Sequence, residues 1–368
     1  MPMHWPEDLT STALSGRMPP GPWPDERWST LFRQARVAGL LGRVAAQLDE
    51  SGRAGPAAAA RHAEAALRVC RAQQDEICRE IRFIQHALAG LGAPVVLLKG
   101  AAYVMAGLPA AQGRVFSDID IMVPKAVLAQ AESMLMLGGW MTTHHTAYDQ
   151  RYYRQWMHEL PPMEHVQRST VLDVHHTILP ETARLRPDPH KLFEASEAVP
   201  GQTGLRMLCA PDMVLHSMTH LFMNDDMNHA LRDLSDLDLL LRHFARDAQF
   251  WTQLVERAAL LDLRRPLFYG LRYTARLLGT PVAPQASAAL RSAAPGAALL
   301  KLMDAIWLRA LRSPHPATAP AGRAAALGAL YVRGHWLRMP PLLLARHLTI
   351  KALRRHEGET PPEPETPH

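Results

Sequence analysis

The chain has 368 residues, 48% of them hydrophobic and 20% charged, which excludes a disordered chain and leaves room for one large globular domain or two ordinary ones. Cys70, Cys78 and Cys209 form no CxxC pair and no even disulfide set, as in a reducing, cytoplasmic compartment; the N-terminus shows no basic segment followed by an apolar run, and no run of about 18 apolar residues marks a membrane span, so neither secretion nor membrane spanning is expected. The net charge of +5, with much of the excess arginine after residue 240, suits a polyanionic ligand or simply a solvated basic surface.

In chain order, residues 1–92 read as an N-terminal helical region: from Trp28 to Leu91 the sequence is alanine-rich, with apolar residues three and four apart. Pro94 then introduces Val95-Val96-Leu97-Leu98, a short strand, and Lys99-Gly100 turns the chain into a helix over Ala101–Ala106. A second strand reads Asp118 to Val123 and stops at Pro124. A helix over Lys125–Leu137 follows, with Gly138-Gly139 as its stop, and a third strand reads Thr170 to His175. Residues 93–180 are thus the mixed α/β part.

From 181 to 355 the pattern returns to helix, with a start at Pro211-Asp212 and further helices expected over Leu231–Phe244, Trp251–Leu278, Ala297–Leu311 and Ala324–Arg355, the last interrupted at Pro340-Pro341. The Pro/Glu-rich tail 356–368 has no apolar face and is expected to be disordered. The fold class that results is α+β: a small mixed sheet flanked by N-terminal helices and a larger C-terminal helical domain.

Alternate side chains of a strand share a face, so Asp118 and Asp120 point the same way while Ile119 and Ile121 enter the core. Paired carboxylates repel unless a cation lies between them, and magnesium takes carboxylate and phosphate oxygens at about 2.0–2.1 Å. Asp173 is a third strand-borne acid, able to hold a second ion or to act as a base; two ions about 3.5–4 Å apart serve the attacking and leaving oxygens of phosphoryl transfer. Gly100 permits close backbone approach, the helix after it offers free N–H groups, and Lys99 and Arg114 add charge for a triphosphate.

These residues resemble the nucleotidyltransferase superfamily with the DNA polymerase beta-like fold. LLKGAA (Leu97–Ala102), Arg114, SDIDIMV (Ser117–Val123) and LDVHH (Leu172–His176) are similar to its branch of uncharacterised bacterial nucleotidyltransferases over roughly residues 30 to 280. The resemblance implies Asp118, Asp120 and Asp173 as catalytic metal ligands for two Mg2+ ions. It implies Lys99, Gly100, Ala101, Arg114, Ser117 and His175 around a nucleoside triphosphate, and an unidentified small-molecule, sugar-phosphate, peptide or protein acceptor. Ala101 stands where the wider superfamily often carries a phosphate-binding serine, and the gap from Gly100 to Asp118 exceeds that of its best-known members.

His216 and His220, four apart on one helix face, suit core or cleft-lining histidines better than a metal motif, having no glutamate between them. The resemblance also implies a cleft-lining helix at LRDLSDLDLL (Leu231–Leu240). One alternative is a non-catalytic nucleotide- or peptide-binding module of the same fold. A phosphohydrolase built on His175, His216, His220 and Asp236 lacks a consecutive His-Asp pair. The basic stretch Arg333–Arg355 with Trp336 carries no nucleic-acid motif, and a membrane surface would suit it equally.

Overall fold

A computed structural model describes residues 7–53, 55–143, 150, 153–154, 156–316 and 318–339. The expected disordered tail and the stretch from Pro340 to Arg355 lie outside them.

Four helices open the chain: α1 (Leu9–Leu14), α2 (Asp25–Val37), α3 (Leu41–Glu50) and the 31-residue α4 (Ala57–Ala87). Alanine favours the long helix, and Cys70, Ile77, Ile81 and Ile84, at spacings of seven, four and three, form a buried stripe from its middle toward its C-terminal end. β1 (Val95–Leu97) then enters the core with every residue buried, α5 (Lys99–Met105) follows after one residue, and β2 (Ile119–Met122) is again wholly buried. After α6 (Leu128–Leu137) come β3 (Trp140–Thr142), β4 (Met163–His165) and β5 (Val171–His175).

The sheet does not end there. After α7 (Pro189–Glu194), β6 (Glu197–Ala198) and β7 (Leu205–Met207) join it, giving a seven-stranded mixed sheet in the order β3-β4-β5-β2-β1-β7-β6. β2 runs parallel to β5 and antiparallel to β1. Only three strands were expected: β3, β4, β6 and β7 are two or three residues long, too short for an alternating pattern to show.

Beyond the sheet the chain is helical: α8 (Ala210–Met223), α9 (Ala230–Phe244), α10 (Phe250–Leu260), α11 (Arg264–Leu278), α12 (Pro284–Ala289), α13 (Ala297–Ala310) and α14 (Arg323–Arg338). α8 is buried on nearly all sides, with α9, α10, α11 and α14 packed around it. The single helix expected over Trp251–Leu278 is two. The chain turns at Asp262, in the left-handed region at φ 57°, and Pro266, which lacks an N–H, sits in the first turn of the second helix, where none is needed. One continuous cluster of buried apolar residues extends from Leu9 to Leu330.

Candidate active site

Parallel pairing sets the centre of the site. β2 and β5 are in a register that puts Asp120 opposite Asp173, so the two carboxylates leave the same face of adjacent strands, and Asp118 stands just before β2. Ligand oxygens of the three acids lie within 4.8 Å of one another, as the sequence led one to expect. The Ser117 hydroxyl donates to Asp118 Oδ1 at 2.9 Å.

Asp120 is buried and receives Lys99 Nζ at 2.9 Å and His175 Nε2 at 3.0 Å, both on Oδ1. Burial opposes the charges of both Lys99 and Asp120, yet the pair sustains them: the neighbouring aspartates raise the lysine, while Lys99 and His175 hold the Asp120 carboxyl well below its usual range. Asp173 has no such partner. Burial, together with Glu159 and Asp120, pushes its carboxyl up to about 8, and its Oδ1, closed off from solvent, makes no hydrogen bond. An orphaned carboxylate oxygen beside two more acids is the donor set of a hard divalent cation, so these residues fit magnesium.

The cleft over the acids has two lobes that share Lys99, Asp118, Asp120, His220 and Asn224. The first, about 200 Å3, is walled by Gly100, Tyr103, Arg114 and Ser117 and, from α9, by Arg232, Asp233 and Asp236. The cleft-lining helix implied at Leu231–Leu240 is therefore where it was expected. The second lobe, about 190 Å3, is walled by His158, Glu159, Asp173, His175, Thr219 and Arg338, with an apolar side of Ile178, Leu179, Pro180 and Met223.

Not every expected phosphate contact keeps a free hand. Arg114 lines the first lobe, but it is buried and its Nε donates to Asp236 Oδ2 at 2.9 Å, with its guanidinium 4.8 Å from the centre of the Phe116 ring. The space a Cβ on Gly100 would need is filled by Arg114 Nη1 and Phe116, each 2.7 Å from that position, so the glycine makes room for protein. The long segment between Gly100 and Asp118 is what folds Arg114 and Phe116 back over it. Ala101, expected at the same turn, is buried in the apolar core and lines neither lobe.

Lys99 opens α5 at φ 41°, a left-handed conformation uncommon for a side-chain-bearing residue, and the tight strand-to-helix turn thereby drops its ammonium between the acids. His175 faces both ways, with Nε2 on Asp120 and Nδ1 3.1 Å from Glu159 Oε2. His216 and His220 belong to no metal-ligating group among the described residues, and burial keeps both well below the usual histidine range. Asp236 is bonded by Arg43 as well as Arg114, so the acid of the phosphohydrolase reading is fully engaged by protein.

Sequence reasoning missed Arg43, His158, Glu159 and Arg338. Arg43 reaches Asp236 from α3 because Gly42 and Gly113 let two backbones nearly touch. Glu159 bridges antiparallel to His175 from an irregular segment with no periodic signal. Arg333 and Arg338, read as part of an exposed basic stretch, turn inward: Arg333 Nη1 donates to the Phe222 carbonyl oxygen at 2.7 Å, and Arg338 pairs with Asp225.

A protein-family profile described as "uncharacterised nucleotidyltransferase" matches residues 24–279. The chain belongs to this nucleotidyltransferase family. Membership supports nucleoside monophosphate transfer in general terms. No curated protein matches significantly. Among solved structures, that of the antibiotic-resistance factor ANT(2'')-Ia aligns with 13% identity and a TM-score of 0.32, over 53% of this chain and 95% of that one. No helix among the described residues is long and apolar enough to cross a membrane.

Proposed function

We propose that this family member is a magnesium-dependent nucleotidyltransferase, moving a nucleoside monophosphate from an NTP to an acceptor hydroxyl or phosphate with release of pyrophosphate. The observation that carries the reading is the register of Asp120 with Asp173, with Asp118 alongside and Asp173 Oδ1 left without a partner. Asp118, Asp120 and Asp173 would hold two magnesium ions, which would offset phosphate charge and stabilise the attacking and leaving oxygens.

The protein's own groups set the geometry. Lys99 and His175 fix Asp120 Oδ1 and leave its other oxygen for the cation. The first lobe, where Lys99, Ser117, His229 and Arg232 converge, suits the triphosphate, and the second, reached by Asp173, suits the acceptor. There the acceptor oxygen attacks the α-phosphorus, the bond to the bridging oxygen breaks, and pyrophosphate departs through the first lobe. Asp173 Oδ1, which has no partner in the fold, would take the acceptor's proton or hold the cation that acidifies it. Most of the catalysis is positioning and charge stabilisation.

The test is magnesium-dependent binding of each of the four NTPs, and slow pyrophosphate release from them, by the wild type and by Asp118→Ala/Asp120→Ala. Binding and pyrophosphate from the wild type alone are expected. Binding without pyrophosphate, when candidate acceptors are supplied, would leave a nucleotide-binding module, and no binding by the wild type would remove the role given to the aspartates.

A further inference from the structure

Beside the aspartates, and sharing none of them, His158, Glu159 and His175 form a second group of possible ligands, with donor atoms within 4.8 Å of one another. Glu159 Oε2 stands between the imidazoles, 3.1 Å from His175 Nδ1 and 3.7 Å from His158 Nε2. Around a tetrahedral ion with bonds of about 2.0–2.1 Å, ligand atoms are about 3.3 Å apart, so these separations bracket what such an ion requires.

His175 is only 3% exposed, and its Nδ1, although near Glu159, makes no hydrogen bond; on His158 the nitrogen without a partner is Nδ1, not the Nε2 that faces Glu159. The other nitrogen of His175 is bonded to Asp120. Such a carboxylate bond is what fixes the tautomer and ring angle of metal-bound histidines. Backbone pairing supports the arrangement, since Glu159 lies directly across the sheet from His175 and the His176 N–H donates to the His158 carbonyl oxygen at 2.9 Å.

The charge balance points the same way. Asp118, Asp120, Asp173 and Glu159 crowd the second lobe against Lys99, while Arg338 at its rim is paired with Asp225. Two imidazoles and one carboxylate suit a borderline ion of the zinc class better than magnesium, which prefers oxygen.

We propose that His158, Glu159 and His175 bind a zinc-class divalent ion, distinct from the magnesium held by the aspartates. All three line the second lobe, so the fourth coordination position opens into it, where water or an acceptor oxygen completes the shell. The ion ties His175, and through it Asp120, to the loop bearing His158. The proposal stands whether or not the chain transfers nucleotides.

The test uses the full-length protein, stripped with a chelator and titrated with zinc chloride in excess magnesium. Calorimetry should show one tight equivalent in the wild type, weakened at least about 10-fold in His158→Gln and Glu159→Gln and kept in Asp173→Asn. X-ray absorption of the zinc-loaded wild type should show two imidazole nitrogens at about 2.0–2.1 Å, a readout that holds even if a variant fails to fold. No zinc binding, an all-oxygen shell, or zinc lost in Asp118→Asn but kept in His158→Gln would overturn the proposal.

Discussion

Asp120 and Asp236 face the same cleft with side chains equally shielded, each 5% exposed, but the protein treats their charges differently. Asp236 is held by two arginines, Arg43 on one oxygen and Arg114 on the other, so its charge is met within the fold. Asp120 has Lys99 and His175 on a single oxygen and two further acids close by, so the charge around it is not met. A buried acid saturated by arginine holds elements together; a buried acid among other acids waits for a cation. Burial alone does not separate the two.

Exchanging each acid for its amide is the strongest way to break the comparison. Asp120→Asn should lower NTP turnover about 1,000-fold, the several kcal/mol that a lost metal ligand removes from transition-state stabilisation, with the fold retained. Asp236→Asn should instead cost about 3–5 kcal/mol in denaturant unfolding, because two buried arginines lose their counter-charge. If Asp236→Asn spares stability and abolishes turnover, the distinction fails.

Asp173 sharpens it further. Its folded carboxyl is raised from 3.8 to about 8, so between those values the unfolded chain gives up a proton that the fold keeps, and stability falls as pH rises through that window. Chelator-treated wild type should therefore melt lower at pH 8 than at pH 7, a range above that in which histidines depressed by burial, such as His216, take up protons. Asp173→Asn, or added magnesium, should recover much of the difference, and a melting temperature indifferent to all three would count against the crowding of acids described above.

Gly100→Ala probes the seam between the two regions. Its methyl would meet Arg114 Nη1 and Phe116 at 2.7 Å, so a destabilisation of about 1–3 kcal/mol is expected, with a raised KM for NTP as Arg114 is pushed into the lobe that it lines. A smaller effect is expected at His216, where burial, aided by Lys99, depresses the imidazole well below 6.5. Below that value the unfolded chain takes up a proton the fold refuses, so stability is lost as pH falls, and His216→Gln should flatten the acid limb of the melting curve.

Much of the centre was legible beforehand. A period of two in SDIDIMV and LDVHH marked both acid-bearing strands, and Lys99-Gly100 marked the turn between strand and helix. The misses share a cause. Arg43 acts across 193 residues and Glu159 pairs with His175 from an irregular segment, so neither leaves a local pattern. Gly100 was visible as a glycine, but what fills the space beside it depends on a loop returning from 14 residues further on.

By itself the sequence determined which residue types stand on which strand face, because alternation and helical spacing are local consequences of backbone geometry. It thereby determined that Asp118 and Asp120 share a side, and its motifs carried the family resemblance. Only the tertiary structure decided that Asp120 and Asp173 stand in register, that Arg114 answers to Asp236, and that His158 and Glu159 gather at His175. Those are matters of pairing between distant segments, settled by which charges and which shapes the packed chain brings within a few ångströms of each other.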